Sequence, residues 1–189
     1  MSLFTSPREK RLWMLVLLIT GTIFSTLFIG RPLQQLLSNQ DVQAVFFLLG
    51  LLLVSATVLL NGLKAPISKT EITIWVGLLA VYLMLFLRLG LTERSHLIEY
   101  SVLAIFVHLA LIERLANNRT GLWIALVAFI ISTGIGVVDE LAQIFLPNRV
   151  FDSEDIVFNT SAALMAIGSS LLLQWLRQRA RQRRNENDR

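Results

Sequence analysis

Two stretches of the chain hold most of the residue types that do chemistry. The first is Glu93, Arg94, Ser95, His96, Glu99 and Tyr100. The second is Asp139, Glu140, Gln143, Pro147, Asn148, Arg149, Asp152, Asp155 and Asn159. A histidine beside carboxylates can move protons. An arginine fork matches a phosphate or a carboxylate. His96, Glu99, Asp139, Glu140 and Asp155 are therefore the candidate catalytic residues, and Arg149, Gln143, Tyr100 and Asn159 the candidate binding residues. His96 and Glu99 stand three apart on a helix and share a face, with Tyr100 beside them. Asp139 and Gln143, four apart, and Glu140 and Gln143, three apart, make a polar stripe. Asp152, Asp155 and Asn159 fall on another, which continues as Ala162 and Ala166, small enough for a neighbouring helix to come close. Asp139, Glu140 and Asp155 would hold the site or a divalent cation. Histidine plus carboxylates without cysteine suits Mg, Mn, Zn or Fe, but the spacing matches no strong metal motif. The sequence names no cofactor.

Simpler roles compete for several of these residues. Asp152 to Asp155 has the spacing of a helix cap, and negative charge suits a first turn. Pro147-Asn148-Arg149 reads as a turn. Arg149 can pair with Glu140 or Asp155 instead of a ligand. Asn159 can join helices by hydrogen bonding. His108, nine residues after Glu99, points to the opposite side of its helix and reads as a satisfied interhelical histidine. Glu113-Arg114 reads as a solvated helix end. Glu99 needs a partner, for which His96 or Arg149 would serve.

The elements that must position these groups are membrane helices. Of the 189 residues, 54% are hydrophobic and 16% charged, and mean hydropathy is +0.64. A soluble domain carries about 25% charged residues, and a globule this apolar would expose large greasy patches. A water-soluble enzyme, a disordered chain and a disulfide scaffold are excluded, and the absence of cysteine removes thiolate metal sites and a cysteine nucleophile. Crossing roughly 30 Å of hydrocarbon takes about 17–25 residues. Five apolar segments suffice: Leu12–Gly30, Ala44–Leu63, Ile72–Leu87, Gly121–Val138 and Ile156–Trp175. A sixth, Leu97–Ile112, is short and carries Glu99 and His108, so alone it could be a re-entrant or interfacial helix. The fold expected is an all-α polytopic bundle of six spans, with five as the alternative. The chain forms one membrane-embedded domain over residues 1–189 with a basic tail over 177–189.

Charge tests the sixth span. In a six-span arrangement the ends and the even-numbered loops collect thirteen Lys and Arg: Arg8, Lys10, Arg11, Lys64, Lys69, Arg114, Arg119 and six at the C-terminus. The other side has four, Arg31, Arg88, Arg94 and Arg149. Basic loops stay in the cytoplasm, so both termini are expected there. Trp13, Trp75, Trp123 and Trp175 would then all sit at the cytoplasmic interface. The net charge of +4 reflects these flanks, which address topology and anionic lipid and not nucleic acid. Loops three and five, and with them both polar stretches, come to the outer face.

At these residues the chain resembles the VanZ-like family of small integral membrane proteins, named for teicoplanin resistance. The signature is carried by Asp139-Glu140, Gln143, Phe145, Pro147, Arg149, Asp152, Asp155 and Asn159, with His96 and Tyr100 upstream, over about residues 93–170. The family usually has glycines where this chain has Ala162 and Ala166. The resemblance implies a bacterial cytoplasmic-membrane protein of the cell envelope and supplies no agreed reaction. Three functions follow as expectations. One is an outer-face site that binds or acts on a lipid-linked, glycopeptide-related or peptidoglycan-related molecule, with Arg149 on its anionic part and His96 and Glu99 as acid and base. Another is a non-enzymatic bundle that binds a partner. The third, a small transporter, fits less well, because only His108 is mid-span and no inverted repeat is visible.

Overall fold

A computed structural model describes residues 4–37, 39, 41–42, 45, 49, 69–88, 91–115, 121–147 and 149–187. The described residues are helical, with no strand among them. Five helices follow in order: α1 (Pro7–Leu37), α2 (Lys69–Arg88), α3 (Leu91–Leu115), α4 (Gly121–Gln143) and α5 (Ser153–Asn187). Four stretches are long and apolar enough to cross a membrane: Pro7–Phe28, Ser95–Leu115, Gly121–Gln143 and Ser153–Leu176. In α2 the apolar part, Ile72–Met84, is shorter. The expected span Ala44–Leu63 lies outside the described residues except for Val45 and Leu49. So do Asn148, Lys64, Arg119, and the side chains of Trp75, Glu93, Arg94, Arg31, Arg88 and most C-terminal arginines.

The helix that hydropathy left in doubt proves central. α3 runs 25 residues, about 37 Å at 1.5 Å per residue, and Ser95–Leu115 within it is long and apolar enough to cross a membrane. It packs against α1, α4 and α5. Tyr100, Leu103, Ala104, Val107 and Ala110 along it are fully buried. Ile23 of α1, Ile124 and Ala128 of α4, and Ala162, Ala163 and Ala166 of α5 close around it. The short side chains of α5 allow the close approach expected of them: Ser101 Oγ donates to the carbonyl of Ala162 at 3.4 Å. Leu17, Leu18, Leu122, Ile130, Leu164 and other large apolar residues point outward. In a bilayer that surface meets lipid at no cost, because lipid is as apolar as leucine.

Hydrophobic attraction does not drive helices together in lipid, so polar contacts at the two ends of the bundle set the register. At one end Ser6 caps α1. Its hydroxyl accepts the Glu9 amide at 3.0 Å, and Pro7 takes the first helical position, where no N–H is needed. Glu9, the third helical residue, is fully buried. It accepts the amide and hydroxyl of Thr5 at 2.6 and 2.7 Å and lies 3.3 Å from Arg114 at the end of α3. Glu113 accepts from Ser6 at 2.9 Å and lies 3.7 Å from Arg8. Glu113-Arg114 keeps the solvent exposure expected of a helix end, with Arg114 exposed and Glu113 half-buried, and also forms an interhelical clasp. It fixes the start of α1 against the end of α3.

The basic tail continues the last helix, because α5 runs unbroken to Asn187. At about 52 Å it outruns the hydrocarbon core, and Arg179 lies 4.0 Å over the Trp175 ring.

Candidate functional site

The opposite end of the bundle gathers the start of α3, the end of α4 and the start of α5. Local chemistry shapes it. After Gln143 the helix closes with tight bonds, Ile144 N to Leu141 O at 3.3 Å, Phe145 N to Ala142 O at 3.2 Å and Leu146 N to Gln143 O at 3.1 Å. These satisfy carbonyls that the helix leaves open, and Pro147 cannot continue it. The chain turns once more, with Arg149 N bonded to Leu146 O at 3.2 Å. Asp152 then caps α5, accepting the Glu154 amide at 2.8 Å, and its side chain stays in solvent.

Three helices converge here. Tyr100 of α3 donates its hydroxyl to Asp139 Oδ2 of α4 at 3.0 Å. Gln143 Nε2 donates to Glu140 Oε1 at 2.8 Å. His96 Nε2 stands 3.5 Å from Asp155 Oδ2 of α5, and the His96 and Tyr100 rings stack with centroids 6.0 Å apart. Relative exposures are 8% for His96, 2% for Asp139, 0% for Glu140, 5% for Gln143 and 1% for Asn159. One ligand atom from each of His96, Asp139 and Glu140 lies within 4.8 Å of the others. Among the described residues, His96 Nδ1, Asp139 Oδ1, Glu140 Oε2 and both amide atoms of Asn159 have no hydrogen-bond partner. Burying such groups unsatisfied is expensive.

The remaining candidates sit around this cluster. Glu99 and Asp155 are half-buried, and Glu99 feels the charges of Asp139 and Arg149. Arg149 is half-buried, and its Nη2 donates to the carbonyl of Thr26 on α1 at 2.8 Å. His108 is buried away from the cluster. It was expected to be satisfied between helices, but neither ring nitrogen has a partner among the described residues.

Some participants carry no sequence signal of their own. Gly136 is one: a Cβ there would lie 3.1 Å from Tyr100 Cε1 and 3.1 Å from Asn159 Cβ. Glycine lets α4 press against both helices. Thr26 is another, because it contributes only a backbone carbonyl. The loop after α4 also exposes Phe145 and Val150 at 84% each and Ile144 at 58%, so the segment that joins the helices of the polar cluster carries an apolar lip.

No curated protein and no solved structure matches the chain. A family model described as VanZ/LLP1 matches residues 12–174, which takes in most of α1 and every residue of the polar cluster. With four membrane-capable helices and this match over most of its length, the chain is a membrane protein that belongs to the VanZ/LLP1 family.

Proposed function

We propose that this protein uses its polar cluster, at the outer face of a bacterial cytoplasmic membrane, to bind and act on an amphiphilic envelope molecule. A lipid-linked or glycopeptide-related precursor is the class favoured, in line with the teicoplanin resistance for which the family is named. One observation carries the proposal: buried acid, base and amide groups from three helices meet beneath a loop that exposes Phe145 and Val150. The pairing of a polar cluster with an apolar lip suits a ligand with a polar head and a lipid tail. Arg149, braced by Thr26, receives the anionic part of the head, and Glu99 beside it handles a proton. The charge pattern supports the outward orientation. Glu9 bonded to Arg114 makes α1 antiparallel to α3, and His96 beside Asp155 makes α3 parallel to α5. Arg8, Lys10, Arg11, Arg114 and the arginine-rich end of α5 therefore share the end of the bundle opposite the cluster, the end kept in the cytoplasm.

The chain has no cysteine, so single cysteines report topology without background. Val150→Cys and Phe145→Cys should label in intact spheroplasts with an impermeant maleimide, while Gln182→Cys should label only after lysis. The labelled protein should also retain a lipid-linked precursor in native mass spectrometry, and Arg149→Gln should lose it. Labelling of Gln182→Cys alone from outside would reverse the orientation and refute the outer-face site. If His96→Gln and Asp155→Asn abolish folded yield, the cluster is structural and the protein is a non-enzymatic bundle.

A further inference from the structure

We infer that His96, Asp139 and Glu140 hold a divalent cation of the Zn²⁺ or Mn²⁺ type, with Asp155, Tyr100 and Gln143 as the residues that orient them. The inference rests on the proposed site and names the ion that would serve it. Its basis is a pattern repeated three times. Each of the three residues has one heteroatom held by a neighbour and the other buried with no partner among the described residues. His96 has Nε2 at 3.5 Å from Asp155 and Nδ1 unpartnered. Asp139 has Oδ2 bonded to Tyr100 at 3.0 Å and Oδ1 unpartnered. Glu140 has Oε1 bonded to Gln143 at 2.8 Å and Oε2 unpartnered. This is how metal ligands are built: a carboxylate takes the far N–H of a ligating histidine, and ligating carboxylates are themselves hydrogen-bonded. Ligand atoms from the three residues gather within 4.8 Å.

Charge argues the same way. Asp139 and Glu140 are consecutive and at most 2% exposed. Two carboxylates in a dry interior repel each other and forfeit hydration. Arg149, a cation whose charge reaches Asp139, spends a donor on Thr26. A dication would neutralise both carboxylates and take one ligand atom from each of the three residues. One imidazole with two carboxylate oxygens is a borderline set, softer than an all-oxygen magnesium site and harder than a thiolate one. Three protein ligands leave a position open for water or for an oxygen of the bound molecule.

The test uses the full chain, purified in detergent and stripped with chelator. Reloaded with Zn²⁺ and passed through a desalting column, it should retain about one zinc per chain by mass spectrometry. His96→Gln and Glu140→Gln should retain less than a tenth of that. Asp155→Asn should keep the site but weaken it roughly 10–100-fold, the effect of losing an orienting partner. His108→Leu, remote from the cluster, should bind as the parent does. X-ray absorption on the zinc-loaded parent and on His108→Leu should show a single imidazole with oxygen ligands near 2.0–2.1 Å. This decides the matter even if a ligand variant fails to fold. Zinc that does not survive desalting, a shell without imidazole, or full retention by His96→Gln would each overturn the inference. Metal content is read without any envelope ligand, so it can fail while the precursor still binds, and the reverse.

Discussion

The bond from Tyr100 to Asp139 offers a measurable test of how the helices hold together. Tyr100→Phe deletes one oxygen and leaves the ring, its stacking on His96 and the volume of the interface unchanged. The hydroxyl lies 3.0 Å from Asp139 Oδ2, Tyr100 is fully buried and Asp139 is 2% exposed, so water does not replace the lost donor. Asp139 Oδ1 already lacks a partner among the described residues. A bond to a charged acceptor contributes about 1.5–3 kcal/mol, and one to a neutral acceptor about 1 kcal/mol. Interhelical bonds in membranes average only about 0.6 kcal/mol, because the unfolded helices find other partners in the lipid. Here the acceptor is buried and fixed at the end of α4, so a loss of about 2 kcal/mol is expected, roughly thirty-fold in the folding equilibrium. Reversible unfolding in mixed micelles, followed by the fluorescence of Trp13, Trp123 and Trp175, reads this directly. Asp139→Ala and the double variant complete a cycle, and the coupling should be at least about 1 kcal/mol. A coupling near zero, with Tyr100→Phe as stable as the parent, would mean that this bond does not bind α3 to α4.

Two further substitutions test the packing. His108→Leu removes a buried imidazole that has no partner among the described residues and supplies an apolar group of similar size. It should leave stability unchanged or raise it by about 1–2 kcal/mol, with ligand binding at the polar cluster intact. Loss of function with stability retained would assign His108 a proton-carrying role and revive the transporter. Gly136→Ala and Gly134→Ala form a matched pair on α4. Both gain up to about 1 kcal/mol of helix propensity, but only at Gly136 does the new methyl meet Tyr100 and Asn159 at 3.1 Å. Gly136→Ala should lose about 1 kcal/mol net, and Gly134→Ala, with nothing within 4 Å, should not. Equal stabilities of the two in the same unfolding assay would show that α4 is free to move away.

Much of this protein can be read along the chain because membrane insertion is a local test. A segment of about 20 residues crosses if enough of them are apolar, since a helix satisfies its own backbone wherever its neighbours lie. Hence α1, α4 and α5 coincide with hydropathy maxima. His96 and Tyr100 share a face by spacing alone, and Ala162 and Ala166 mark a surface fit for close approach. The cap at Asp152 and the break at Pro147 are local events as well. Taken alone, Leu97–Ile112 could be re-entrant; the charge count favours a sixth span, and Ser95–Leu115 is indeed long and apolar enough to cross. A helix enclosed by its neighbours can carry Tyr100 at low cost because Asp139 meets its hydroxyl, and hydropathy cannot see that partner.

Partner choice was decided only in the folded bundle. These helices are apolar around most of their circumference, so no stripe tells the core side from the lipid side. Which faces meet depends on the sum of packing and hydrogen bonds among helices far apart in sequence. Tyr100 finds Asp139 across 39 residues, and Arg149 finds Thr26 across 123. The clasp of Glu9 with Arg114 spans 105, and along the chain each of its members resembles an ordinary charged helix end. Gly136 has no chemistry of its own and matters because two other helices arrive there. The sequence by itself determined that the chain lies in a membrane and which polar residues it carries there. Tertiary structure decided which of them meet, because each meeting depends on the direction and rotation of helices that hydropathy does not encode.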